Sequence, residues 1–239
     1  MLWYKAWLET RTRFLISLCG ITLLTSYFVY HQNHEGRDLK GTFWDYHTIH
    51  TAHALLVAMW IAAVIFLMMG GLLQEKKSAA SSFTLALPLS RERLMRVRIL
   101  FGLLQATALT IIPWGAMFLV ACATGKANSL SQAVFHIVLL AGGGIVFFAI
   151  ALLVSSLVEG EYTAPAVSLG ILFADVIAMG DPPLRAYSPW NFMLGTQYYD
   201  RTATQLLLGT IPWMHVVINV LVAGLLTALS IAAIRRRDF

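Results

Sequence analysis

Residues 133–157 read AVFHIVLLAGGGIVFFAIALLVSSL, a run with one histidine and no acidic or basic side chain. At about 1.5 Å per helical residue it is long enough to cross a hydrocarbon layer roughly 30 Å thick. A helix of this length in water needs a polar face, and this stretch has none. Five further apolar stretches flank it, at residues 14–30, 52–73, 99–123, 162–180 and 211–234. The pattern predicts an all-α integral membrane protein with six transmembrane helices.

The wider composition agrees. The chain has 239 residues, of which 58% are hydrophobic and 12% charged, which excludes both an intrinsically disordered chain and an ordinary soluble domain. The net charge of +5 does not point to nucleic acid, because the basic residues are distributed by segment. Lys5, Arg11, Arg13, Lys76, Lys77, Arg91, Arg93, Arg96, Arg98, Arg235, Arg236 and Arg237 fall in alternate connections, leaving Arg37, Lys40, Lys126, Arg185 and Arg201 for the others. That bias predicts both termini inside, in a multi-pass protein of the plasma or inner membrane. Tyr30-His31-Gln32-Asn33 offers no small-residue cleavage site, so the first span is expected to be retained. Cys19 and Cys122 sit at different depths, too far apart for a disulfide, and are expected to be small packing residues.

The connections are informative. Residues 1–13 are too polar to span. Trp3, Tyr4, Trp7 and Leu8 share a helical stripe opposite Lys5, Glu9 and Thr12, which predicts an interfacial helix lying along the membrane surface, with a slightly longer, frayed first span as the alternative. Arg11 falls on the apolar stripe and has to snorkel or find a partner. Residues 181–210 carry Pro182, Pro183, Pro189, Tyr187, Trp190, Phe192, Tyr198 and Tyr199. So aromatic an outer segment is expected to dip into the interface or to cap the bundle as short helices. Residues 74–98 form the one sizeable inner loop: a span end at Gln74-Glu75-Lys76-Lys77, an amphipathic stretch, a break at Pro88, and Ser90 as N-cap of a helix entered by Arg91-Glu92-Arg93. A helical hairpin needs only about two to eight residues, so a loop of this size either docks onto a partner or lies on the membrane as a surface helix with a solvated basic face.

With Glu75-Lys76-Lys77-Ser78-Ala79-Ala80, then Leu87-Pro88-Leu89-Ser90-Arg91, and a basic tail Arg235-Arg236-Arg237-Asp238-Phe239, the whole chain resembles the membrane-spanning permease subunits of type-2 ABC exporters. It departs from the family at Ala79-Ala80, where Gly-Thr is common. The resemblance implies that two permeases, identical or homologous, pair to form the translocation path. Each would rest the coupling helix in residues 74–98 on a separate cytosolic ABC ATPase subunit. The residues placed at that contact are Glu75, Phe83, Leu85, Pro88, Ser90 and Arg91. ATP and Mg²⁺ would be bound by the partner, and this chain would not be an enzyme by itself. Independently, no phosphate-binding loop is present: Gly125-Lys126 is followed by Ala127 and lacks the upstream glycine.

Polar residues inside spans need a reason, since a charge at mid-helix costs ~2.5–3.5 kcal/mol on insertion scales. Asp175, Gln105 and Asn219 are candidates for the translocation path, with hydrogen bonding between helices as the competing role. Pro113 is expected to kink its span, and Gly142-Gly143-Gly144 to permit close approach or bending. His47, His50 and His53 recur every third residue, yet only Asp45 is near to complete a metal shell, so a metal site is not expected. A membrane cytochrome would use His53, His136 and His215, provided two of them face each other across the bundle. An ATPase-independent channel or secondary transporter is the other alternative. No H-E-x-x-H motif is present, and Ser155-Ser156 reads as packing. Apolar spans and an aromatic cap favour an amphipathic or hydrophobic cargo: a peptide, a drug or a lipid.

Overall fold

The structure, a computed structural model, describes residues 2–34, 46–68, 91–124, 130–158, 162–198, 207 and 209–236, except the side chains of residues 32–34, 46–50 and 91–92. Among the described residues the regular elements are helices. They are α1 (Leu2–His34), α2 (Tyr46–Leu67), α3 (Arg91–Ala123), α4 (Leu130–Leu157), α5 (Thr163–Ala178), α6 (Pro182–Arg185), α7 (Pro189–Leu194) and α8 (Trp213–Arg235). Four of them are long and apolar enough to cross a membrane, over Leu2–His31, Arg93–Ala123, Leu130–Leu157 and Trp213–Arg235. Two shorter apolar helices, Thr51–Leu67 and Thr163–Ala178, complete the bundle.

Contacts fix the helix directions. Trp3 meets Phe101 and Thr10 meets Gln105, so α1 and α3 run parallel. His53 meets His136 and Trp60 meets Gly144, so α2 runs parallel to α4. Val216 meets Gly142 and Ser230 meets Ser156, which sets α8 parallel to α4 as well. Trp114 against His136 makes α3 antiparallel to α4. α1 and α3 thus run opposite to α2, α4 and α8, and Leu2 and Arg235 lie at the same end. Lys5, Arg11, Arg13, Arg91, Arg93, Arg96, Arg98, Arg235 and Arg236 all belong to the half of the bundle toward this basic end. Among the described residues only Arg185 sits at the other.

The hub is α4. In its most apolar window 67% of residues are buried, against 22% for α1 and 17% for α8. The glycine triplet explains how one helix accepts so many neighbours. Successive helical positions point about 100° apart, so three adjacent glycines open three directions at one level. A Cβ on Gly142 would stand 3.3 Å from both Phe192 and Val216, and one on Gly144 would stand 2.5 Å from the Trp60 ring. A Cβ on Gly143 would strike Met193 and the Pro189 carbonyl oxygen. The expected close approach is therefore present on all three faces, toward α2, α7 and α8.

The outer faces are apolar too. α8 buries only Ala223, Ser230 and Ile234, while Trp213, Met214, Leu221 and Leu225 stand more than half exposed, at 60%, 73%, 68% and 63%. α5 likewise exposes Phe173 and Ile177. Such surfaces fit a hydrocarbon surrounding.

Two expectations change. The N-terminal segment is not a separate interfacial element: α1 runs unbroken from Leu2 to His34. Nothing within it breaks a helix, and its aromatic stripe has a partner, because Trp3 and Trp7 pack edge-on against Phe101 at 6.0 and 6.3 Å. Arg11 is exposed, as snorkelling requires. Cys19 and Cys122 are exposed and not packing residues of the core; a thiol is apolar enough to face hydrocarbon. α3 continues through Pro113, where the missing N–H leaves the Leu109 carbonyl without its helical partner.

The glycine contacts give the first prediction. Gly144→Ala is expected to destabilise the fold by about 1–3 kcal/mol through overpacking against Trp60. Gly170→Ala and Gly224→Ala, where an added Cβ meets nothing within 4 Å, are expected to be neutral or to stabilise by up to about 1 kcal/mol. Unfolding of the detergent-solubilised variants reads the difference directly.

Candidate functional site

The polar groups of the bundle gather at its two ends. At the end away from the basic residues, His53 of α2, Trp114 of α3 and His136 of α4 form a buried ring cluster. His53 and His136 meet edge-to-face with centroids 4.9 Å apart, and Trp114 lies 5.5 Å from His53 and 4.9 Å from His136. His53 Nε2 donates to the Met193 carbonyl at 2.6 Å, and His136 Nδ1 donates to the Gln132 carbonyl one turn back at 2.8 Å. Only an N–H can approach a carbonyl this way, so each bond also fixes the ring tautomer.

Above this cluster lies the cap that the sequence anticipates in residues 181–210. Ser188 starts α7: its Oγ accepts from the Asn191 N–H at 3.1 Å, and Pro189 takes the first helical position. Gly195 closes α7 in the left-handed conformation, φ 67°. Asn191 stitches the turns together, donating to the Arg185 carbonyl at 3.1 Å and accepting from Thr196 Oγ1 at 2.5 Å. Beyond the cap, Gln132 holds Leu207 by both backbone groups, donating to its carbonyl at 3.1 Å and accepting from its N–H at 3.0 Å.

Asp175 belongs to this cap. One carboxylate oxygen, Oδ2, accepts from Ser188 Oγ at 3.0 Å and from the Trp190 N–H at 3.2 Å. The Trp190 amide is one of the first-turn donors that a helix leaves unsatisfied, so the acid of α5 is the anchor of α7. Gln105 lies in the other half of the bundle, donating to Thr10 Oγ1 of α1 at 2.8 Å. Asn219 is half-buried on α8. The three residues expected to line a path thus have separate surroundings, and no hydrogen bond joins any two of them.

The basic end has its own polar contacts. The last carbonyls of α2 accept from arginines of both neighbours: Arg98 Nη2 of α3 reaches the Met68 oxygen at 3.2 Å, and Arg13 Nη1 of α1 reaches the Phe66 oxygen at 3.5 Å. Cations at a helix C-terminus satisfy orphan carbonyls and complement the helix dipole. Ser155 and Ser156 bond carbonyls of their own helix, and Ser230 of α8 donates to Ser156 Oγ at 3.1 Å; they are packing groups, as the sequence indicates. The described part of α3 begins at Arg91. Glu75, Phe83, Leu85, Pro88 and Ser90 lie outside the described residues, as does the side chain of Arg91.

A haem does not fit the histidines. A porphyrin must separate its two axial imidazoles, whereas the rings of His53 and His136 meet edge-to-face with centroids 4.9 Å apart. His215 stacks on Phe192 with centroids 6.0 Å apart, on the α8 side of the cap.

No protein-family model matches the chain, and no curated protein matches it.

Sequence reasoning missed Trp114, Gln132, Ser188 and Asn191. For α7 a signal was present: Ser188-Pro189 is the N-cap and first helical residue of a short helix, and Gly195 is its stop.

The anchor generates the second prediction. Asp175→Ala leaves the Trp190 amide and the Ser188 hydroxyl without their acceptor and is expected to destabilise the cap by about 1–3 kcal/mol. Hydrogen exchange at Trp190 and Asn191 should then accelerate by roughly tenfold or more, while exchange in the middle of α4 stays unchanged.

Proposed function

We propose that this chain is the transmembrane subunit of an ATP-driven exporter of the type-2 ABC class, with six spans and both termini on the cytosolic side. Two such subunits pair to form the path, and each receives mechanical work from a separate ATPase through residues 74–98. The observation that supports this most is the construction of the basic end. α3 is a single helix of 33 residues from Arg91 to Ala123, about 50 Å long. It begins where the connecting segment ends. Arg98 ties it to the last turn of α2, at the other end of that segment. A force applied to residues 74–90 therefore meets two helices already joined, and α3 carries it as one rod through the layer.

Glu75 and Arg91 are the charged contacts to the ATPase in this reading, with Phe83 and Leu85 as apolar contacts between them. Spans with so few charged side chains and an aromatic outer segment favour an amphipathic or hydrophobic cargo. The cap of α6 and α7 closes the far end of the bundle, and the anchoring of α7 by Asp175 makes that carboxylate a determinant of the closed outer face.

In the complex with its ATPase, Glu75→Ala and Arg91→Ala are expected to lower cargo-stimulated ATP hydrolysis by at least about tenfold, the effect of losing one interfacial charge pair. Wild-type stimulation in both variants overturns the assignment of these residues. Transport by the purified chain alone, without ATPase, favours a channel or secondary transporter and overturns the exporter reading itself.

A further inference from the structure

Halfway along the bundle, α3 and α4 part and leave a groove of about 210 Å³ between them. α3 faces it with a stripe from Leu103 to Ile111, and α4 with a stripe from Ile137 to Phe148, both at helical spacing. The α3 stripe covers about 12 Å of the helix axis and leaves about 18 Å on either side, to Arg91 and to Ala123. The groove is therefore elongated, runs with the helices and sits at mid-depth. Trp60 of α2 holds its walls apart: the ring edge packs on Gly144 of α4, and Nε1 donates to Thr110 Oγ1 of α3 at 2.9 Å. Thr107, Ile111 and Ala141 are exposed, so the groove opens on the flank of the bundle.

The lining is apolar. Among the described residues no charged side chain borders the groove. The two α3 hydroxyls are committed to their own helix: Thr107 Oγ1 donates to the Leu103 carbonyl at 2.8 Å, and Thr110 Oγ1 to the Ala106 carbonyl at 2.9 Å. Water needs roughly two to four polar partners, and an apolar cavity of roughly 150 Å³ stays dry yet admits benzene. Left empty, the walls lack partner atoms on one side and forfeit their dispersion contacts. The occupant is therefore apolar, and it is thin: a helix about 10 Å across takes on the order of 900 Å³ over the same length. It also has to reach the middle of a hydrocarbon layer from the side and lie along the helices, which is the course of a lipid tail.

We propose that the groove between α3 and α4 is a binding site for one acyl chain of a membrane phospholipid. The chain lies against both stripes with Trp60 behind it, and restores the contacts that the parted helices cannot make with each other. Because the groove sits at mid-depth, the head group stays out of it, and the site selects a chain and not a charge. The inference is independent of the transport reading, because it uses only the packing of α2, α3 and α4.

Photolabelling of the full chain in nanodiscs tests it, with a phosphatidylcholine that carries a diazirine at mid-chain and peptide mapping of the adducts. At low mole fraction of the probe, residues 103–111 and 137–148 are expected to be labelled about tenfold or more over the exposed Leu221 and Leu225 of α8. The groove signal should saturate as the probe is raised, while that on α8 keeps rising, and a phosphatidylglycerol probe should give the same pattern. Ala141→Phe, which fills the groove from an exposed position, should lower groove labelling about tenfold and leave α8 unchanged. Labelling of the groove no stronger than that of α8 means ordinary surrounding lipid and overturns the site. So does unchanged groove labelling in a folded Ala141→Phe protein; if that variant does not fold, unchanged labelling in Thr107→Phe, from the opposite wall, overturns it instead. Selective loss of the groove signal on adding toluene at the probe's concentration assigns the space to a small ring compound and overturns the lipid assignment. A groove labelled in discs with one copy of the chain but protected in discs with two belongs to a second copy, which also overturns it.

Discussion

The bundle depends on the absence of side chains at three consecutive positions of α4. Between helices surrounded by hydrocarbon, burying apolar surface gives no net drive, because lipid tails are as apolar as leucine; close packing and hydrogen bonds remain. Gly142, Gly143 and Gly144 let Val216, Met193 and Trp60 press against bare backbone at one level. That contact lets the indole of Trp60 reach across to α3, where Nε1 donates to Thr110 Oγ1 at 2.9 Å. It also lets α7 descend until the Met193 carbonyl meets His53. Close approach and the polar contacts are thus one arrangement: the first brings the second into range.

Much of this was legible in the residues. Hydropathy located all the long helices, because a stretch without charge can only be lipid-exposed or central, and here the stretches are both. The triplet marked itself as a packing site, since three glycines within a helix are unfavourable unless something approaches. What was not legible is anything that depends on which helix stands beside which. The stripe of Trp3 and Trp7 has the same periodicity whether it faces a membrane surface or Phe101, so an interfacial helix was inferred where α1 runs on unbroken. Asp175 reads identically as a pore group or a cap acceptor until Ser188 and Trp190 are seen next to it. His53 and His136 are 83 positions apart, and nothing local announces that their rings touch.

The two ends of the bundle are built on different chemistry. At the basic end the ties are cation to carbonyl, on the surface of the layer, where arginines close off α2. At the other end they are neutral or carboxylate hydrogen bonds, buried or part-buried, and they organise a reversal of the chain through α6 and α7. The first kind is open to screening by salt; the second is strengthened where water is kept away.

The apolar outer faces of α5 and α8 carry a thermodynamic consequence. Returning a leucine-sized side chain to water forfeits about 1.5–3 kcal/mol, and α8 alone exposes Trp213, Met214, Val217, Ile218, Leu221, Leu225 and Leu229. Even at half exposure the sum is on the order of 5–10 kcal/mol, which rivals the entire margin by which a typical domain stays folded. The surrounding fatty medium is therefore a component of this architecture in the same sense as a buried core, and stripping it away would favour association through these same faces over any dispersed monomer.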